Sequence, residues 1–322
     1  MLRSVVVAAS ATVVLVSACG GPSPAPSAPS GTSAVDAAGS PAATTSVQPA
    51  KPTAGIVVAT EQAGVIEIGM IDPANGSYAV ENTFDVGDFA KGVNEPDIAS
   101  AIGFSMVVAP DRARVMAQRE VNGDWHTGWL TADGEFVDVT AATQGERTDF
   151  SGPVSSFGVG FNTKGDFAYG VNNGDAIEIW SLPNGRTTEP VLLTTVDMLT
   201  RYQFGADGNL EFALSDPCDD FSAYSWMGDW ILYSDGTQIY RAPRIPAVGE
   251  CGSKGQPLLP ETNTARVSDP VASPDLREVA FIYTNADGSR AIYIVAADGS
   301  SKPRKIDNVQ WPDSTAHLVG WV

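Results

Sequence analysis

One β unit recurs along this chain, and its spacing limits the fold more than any other feature. In the clearest copy, Ser273-Pro274-Asp275 leads into the apolar, β-branched and aromatic run 278–284 (EVAFIYT). The turn Asn285-Ala286-Asp287-Gly288 leads to a second run, 291–297 (AIYIVAA); Asp298-Gly299 follows, then a short third strand near 303–306. Such runs suit buried strands. Asp-Gly between them marks a hairpin, because Gly takes the positive φ that tight turns require. Looser copies begin at Ala109-Pro110-Asp111, Asn162-Thr163-Lys164-Gly165, Gly205-Ala206-Asp207-Gly208 and Trp311-Pro312-Asp313. Aligned on Pro110, Thr163, Ala206, Pro274 and Pro312, the intervals are 53, 43, 68 and 38 residues. Three lie near the roughly 40–50 residues of a four-stranded propeller blade. A β-sandwich of the same hairpins is the competing architecture, and the spacing favours the propeller.

The 273–306 unit resembles the WD40-like repeat of TolB-type β-propellers: a Ser-Pro-Asp turn, an apolar strand, an Asp-Gly hairpin, an Ile-Tyr-Ile strand, then Asp-Gly-Ser. The resemblance implies an all-β propeller over 55–322 that works through protein contacts, and the repeat spacing with its two ends joined counts five blades, or six. The 68-residue interval reads as an insertion, or as a sixth blade if 222–260 counts as one. The last repeat stops after its first strand, and residues 55–84 begin mid-repeat. Joining the two completes a blade and hides two open sheet edges.

The N-terminus reads as an address. Arg3 precedes an apolar run, Val5 to Ala18, too short for the roughly 20 residues of a membrane span but right for a signal-peptide core. It ends Leu15-Val16-Ser17-Ala18-Cys19-Gly20, which resembles the bacterial lipoprotein box. The resemblance implies cleavage after residue 18 and acylation of Cys19, with palmitate-type chains holding the mature protein on the outer side of a cell membrane. Two or three chains on one residue give a stable anchor. Residues 19–54 then form a Pro/Ser/Ala-rich tether, similar to those of high-GC Gram-positive (actinobacterial) lipoproteins. It has too little apolar surface to offset its ordering entropy. As a flexible coil it spans roughly 30–35 Å.

With Cys19 acylated, Cys218 and Cys251 remain in an oxidising compartment, which favours a disulfide between them. In the chain-entropy model it contributes about 3–4 kcal/mol. The sequence between them carries Phe221, Tyr224, Trp226 and Trp230 without a strict period. Presented on a stapled loop, these aromatics are candidates to stack on sugar rings or anchor a protein partner. Packing between blades is the alternative for Trp226 and Trp230.

Composition narrows the chemistry. A formal charge of −19 argues against nucleic acid as a partner. Only two His occur, and no G-x-S-x-G. His126 reads as a surface turn residue and His317 as a structural residue of the last strand. No cofactor or metal is implied. Asp216, Asp219 and Asp220, and Asp85, Asp88, Glu95 and Asp97, cluster without the Ca²⁺-loop pattern and read as solvated loops. No catalytic residue stands out. The reading that follows is a non-enzymatic envelope lipoprotein binding an envelope protein or cell-wall polymer. The alternative is a glycosidase-like enzyme with paired carboxylates in the propeller funnel.

Overall fold

The β-rich runs fold as expected, each on its chain neighbour through a short turn. The computed structural model describes residues 53–87, 89, 104–146, 156–172, 176–196, 201–204, 208–213, 222–243, 255–260, 265–309 and 316–322. All lie in the second of two units, Pro49–Val322. Cys19, Cys218, Cys251 and Phe221 lie outside the described residues.

In chain order the first sheet holds β1 (Ile56–Gln62), β2 (Val65–Ile71) and β3 (Tyr78–Asp85). A helical turn, α1 (Phe104–Val107), precedes the second sheet, β4 (Arg114–Val121), β5 (Asp124–Thr131) and β6 (Phe136–Asp138). Helix α2 (Val139–Glu146) follows, where Asp138 Oδ1 accepts the Ala141 N–H and caps the first turn. The third sheet is β7 (Ser156–Phe161), β8 (Phe167–Asn172), β9 (Ile177–Leu182) and β10 (Val191–Val196). A two-stranded hairpin, β11 (Arg201–Phe204) and β12 (Leu210–Ala213), stands apart. The fourth sheet is β13 (Ser222–Met227), β14 (Trp230–Ser234), β15 (Ile239–Ala242) and β16 (Gln256–Pro257). The fifth is β17 (Arg266–Ala272), β18 (Glu278–Thr284), β19 (Arg290–Ala296) and β20 (Arg304–Lys305). The last strand, β21 (His317–Trp321), returns to the first sheet, whose order is β21-β1-β2-β3.

This is a five-bladed β-propeller closed between its termini. β21 pairs antiparallel with β1, placing Val58 opposite Leu318 and Ala59 opposite His317. Gly55 and Val322 exchange both backbone hydrogen bonds. The seam is also packed, because Ile56, Val58 and Ile71 share one buried cluster with Leu318, Val271, Ile282 and Ile294.

The repeat turn is one backbone device used several times. The N–H of Arg112, Gly165 and Leu276 donates to the carbonyl of Ala109, Asn162 and Ser273 respectively. All three take positive φ (60°, 83° and 60°), as does Gly208 (78°) in the hairpin copy. A side chain in that region costs about 1–2 kcal/mol, so the turn geometry is imposed by the fold at Arg112 and Leu276.

Three expectations need correction. Residues 222–257 are a complete four-stranded blade, not an insertion; the extra element in the long interval is the β11–β12 hairpin. Tyr224 and Trp226 therefore lie on a first strand, not a loop, and the two-residue turn Gly228-Asp229 before Trp230 is too short to break the aromatic run visibly. His126 sits inside β5, buried, with Nδ1 2.8 Å from Asp138 Oδ2. It is buried rather than in a surface turn, since β5 pairs in-sheet with β4 and β6 and packs against α2 and β7.

Candidate functional site

The first strand of each blade surrounds a common axis. In the second blade that place belongs to the segment around α1, held to the sheet by an isolated Val108–Val115 bridge. Helix α1 contacts β21, β7 and β13, the first strands of three other blades. Only a position at the axis reaches all three. Met106, Val107, Val108 and Ala109 are at most 2% exposed there. Gly160 makes room for this plug: a Cβ on it would lie 2.7 Å from the Met106 carbonyl oxygen, and its φ is +119°.

Beside the plug, at the end carrying the turns between first and second strands, a cavity of about 280 Å³ opens. Its walls bring together Phe161, Trp226 and Trp321, with Val57, Val108, Val271 and Val319 between them. Trp226, a candidate from the sequence, lines the cavity and packs against Met106, Tyr233 and their neighbours. Trp230 does not line it. It is 40% exposed, with the Arg241 guanidinium 4.9 Å from its ring. Tyr224 lies on β13 opposite Tyr233, and its side chain is outside the described residues.

The polar lining is sparse and mostly engaged. Asn162 Oδ1 accepts from the N–H of Lys164 and Asp166, and its Nδ2 donates to Asp166 and the Gly208 carbonyl. Ser225 Oγ donates to the Pro270 carbonyl. Arg112, the one cation among the described lining residues, donates from Nε to Glu81 at 2.5 Å. No described Asp or Glu lines the cavity.

One buried carboxylate lies in the wall of first strands. Asp269, in a bulge of β17 with φ +51°, sits 3.1 Å from His317 Nδ1 and accepts from Ser268 Oγ. The pairing explains His317 as the structural residue expected from the sequence. Glycoside cleavage typically uses two carboxyls about 5–10 Å apart across a substrate; among the described residues of the wall, Asp269 is the one buried carboxylate. Among the candidate calcium ligands, Asp85 is described. Its Oδ1 accepts the Gly87 N–H, while Asp88, Glu95, Asp97, Asp216, Asp219 and Asp220 lie outside the described residues.

The sequence did not single out Met106, Phe161, Arg112 or Trp321. Arg112 occupies the fourth position of the repeat turn, so alignment with Leu276 would have placed it at the axial end. Trp321 was legible only as part of the closing strand.

No family model matches this chain, and no curated protein does. Solved structures that match include TolB from Acinetobacter baumannii (14% identity, 82% of this chain, 53% of that chain, TM-score 0.29). The dihydro-heme d1 dehydrogenase NirN also matches (12%, 84%, 78%, TM-score 0.41), as does the periplasmic gluconolactonase PpgL of Pseudomonas aeruginosa (14%, 78%, 66%, TM-score 0.31). The chain spans about half of that TolB. Similarity at this level assigns no activity, and the fold class rests on the strand pairing described above.

Proposed function

We propose that the chain is a lipid-anchored, extracytoplasmic binding module that engages an envelope protein or cell-wall polymer at the axial mouth, without turning it over. One observation carries this reading: the axis is filled by α1, and the remaining mouth is aromatic, with no described Asp or Glu side chain to act as acid or base. Trp and Phe offer large rigid faces to a sugar ring or an apolar side chain. About 280 Å³ lies just below the usual range of small-molecule pockets, a size suited to the end of a larger ligand. In this reading Cys19 carries the acyl chains, residues 19–54 provide reach, and Cys218 and Cys251 form the disulfide.

The test uses the purified mature protein with insoluble cell-wall polymer and with solubilised envelope proteins. Wild type is expected to be retained by one of the two, and Trp226→Ala/Trp321→Ala to be lost from it, with no release of reducing sugar. Steady release of reducing ends by wild type would establish the enzyme instead. Anchoring is checked separately with Cys19→Ser, expected to leave the membrane pellet; a variant that still sediments there contradicts the lipid anchor.

A further inference from the structure

A second surface, on the rim of the third blade, is built differently from the outer edges of the other four blades. Among the described residues, the outermost strand of that blade, β10, pairs with β9 alone. Val191, Leu192 and Leu193 on it are 51%, 45% and 46% exposed. No charge occurs from Pro190 to Val196. The register breaks between Leu192 and Thr194, so that Leu193 is the extra residue of a bulge.

The other described outer edges carry protection. β3 bears Glu81 and Asp85, and its Asn82 side chain is bonded to the Arg112 carbonyl. β6 has three residues and ends in Asp138. β16 and β20 have two residues each, the first containing Pro257 and the second being Arg304-Lys305. Short length, charge, proline and bulges are devices that discourage a sheet edge from accepting another strand. β10 has neither charge nor proline within its six residues, and its single bulge at Leu193 leaves Thr194 to Val196 in regular register with β9.

We infer that β10 is an acceptor edge for an extended peptide strand of a partner protein, a strand with aliphatic residues and basic flanks. Alternate backbone N–H and C=O groups of an edge strand point away from its one neighbour, and an added strand satisfies them while side chains set specificity. Charge selects the occupant. The chain carries −19 overall, whereas Glu189, just before β10, is paired with Arg186 at 3.1 Å, so it is the net charge of the chain that an incoming segment meets. A second copy would bring the same excess to the contact. Three half-exposed side chains also fall well short of the roughly 1,200 Å² that a stable dimer buries. A peptide with Lys or Arg at its ends is drawn by that net negative charge and takes its affinity from the main chain.

The probe is a short synthetic peptide alternating Thr and Val between lysine ends, compared with the same peptide bearing glutamate ends. Full-length protein carrying Cys19→Ser is titrated by fluorescence anisotropy, and amide exchange is read over 191–196. The lysine peptide is expected to bind and to slow exchange at β10. Affinity is expected to fall at least about tenfold with glutamate ends, or with lysine on the strand in Leu193→Lys or Leu192→Lys. Both sites are solvent-facing, so the variants should keep the wild-type melting temperature; whichever does so is the one scored. Equal binding by the variants, no binding of the lysine peptide, or slowed exchange elsewhere would overturn the assignment. A concentration-dependent dimer abolished by Leu193→Lys would give the edge to a second copy and overturn it as well. The mouth variants Trp226→Ala/Trp321→Ala are expected to bind the peptide normally, which separates this surface from the axial one.

Discussion

At the scale of single residues, Gly160 and the repeat-turn aspartates carry the sharpest consequences. Gly160→Ala places a methyl group against the Met106 backbone in a φ region that side chains avoid. Strain and overpacking together should destabilise the fold by about 2–4 kcal/mol, read as a lowered denaturation midpoint. Gly320, on the closing strand, has nothing within 4 Å of its Cβ position, so Gly320→Ala should stay within about 0.5 kcal/mol of wild type. Equal effects at the two positions would contradict the plugged axis. The Asp275 carboxyl is held below its usual pKa by the Ser273 hydroxyl, then by the Arg277 N–H. Asp287 and Asp298 are lowered likewise by Ser289 and Ser300. A carboxyl whose folded pKa is depressed stabilises the fold above its unfolded value, and that contribution is lost as pH falls through the folded value. Stability should therefore decline below about pH 4, and Asp275→Asn should flatten the decline measured by urea titration. At the alkaline end, burial pushes the Tyr78 phenol up to about 12, assisted by Glu67. Its contribution is complete below pH 10, the unfolded value, and is lost as pH rises through 12, visible as late tyrosinate absorbance.

At the scale of strands and turns, closure by β21 is the element on which the domain depends. Ending the chain at Thr315 would bare the edge of β1 and remove Ala316 and Leu318 from the buried cluster they share with Ile56 and Val58. The shortened protein should lose its cooperative melting transition and aggregate, as calorimetry and size-exclusion chromatography would show. A folded monomer would mean that β21 is dispensable. The proposed disulfide is a matter of elements too. Cys218 precedes the start of β13, which lies opposite Ser234, whereas Cys251 precedes Gln256, which pairs beside the far end of β15. These anchors leave opposite ends of one sheet, so a bridge would tie the two ends together. Denatured, unreduced mature protein should show no reactive thiol; two reactive thiols per chain would remove the bridge.

This level also shows what the sequence made legible. Asp287-Gly288 and Asp298-Gly299 each left a turn signal between β-branched runs, and both turns formed where expected. The joining of β21 to β1 was legible because a repeat broken at both ends has one economical repair. Blade four was harder: Gly228-Asp229 is only two residues long, and Gln256-Pro257 carries no strand signature. Four apolar residues such as Phe104–Val107 show no period that separates helix from strand. The plug is decided by contacts with distant blades, which no local pattern records. The same limit hid the mouth, whose Phe161, Trp226 and Trp321 come together from three blades.

At the scale of the whole molecule, the two proposed binding surfaces differ in chemistry: an aromatic mouth at the axis and an uncharged strand edge at the rim. Photo-crosslinking from an aromatic benzophenone side chain at position 321, which keeps a ring in the mouth, addresses it directly in intact cells, with the same crosslinker at Asp287, in a turn at the other end of its sheet, as control. The expected result is a discrete adduct to an envelope protein or cell-wall glycan from position 321 and none from position 287. No adduct from position 321, or the same adduct from both positions, would contradict a ligand held at the axis.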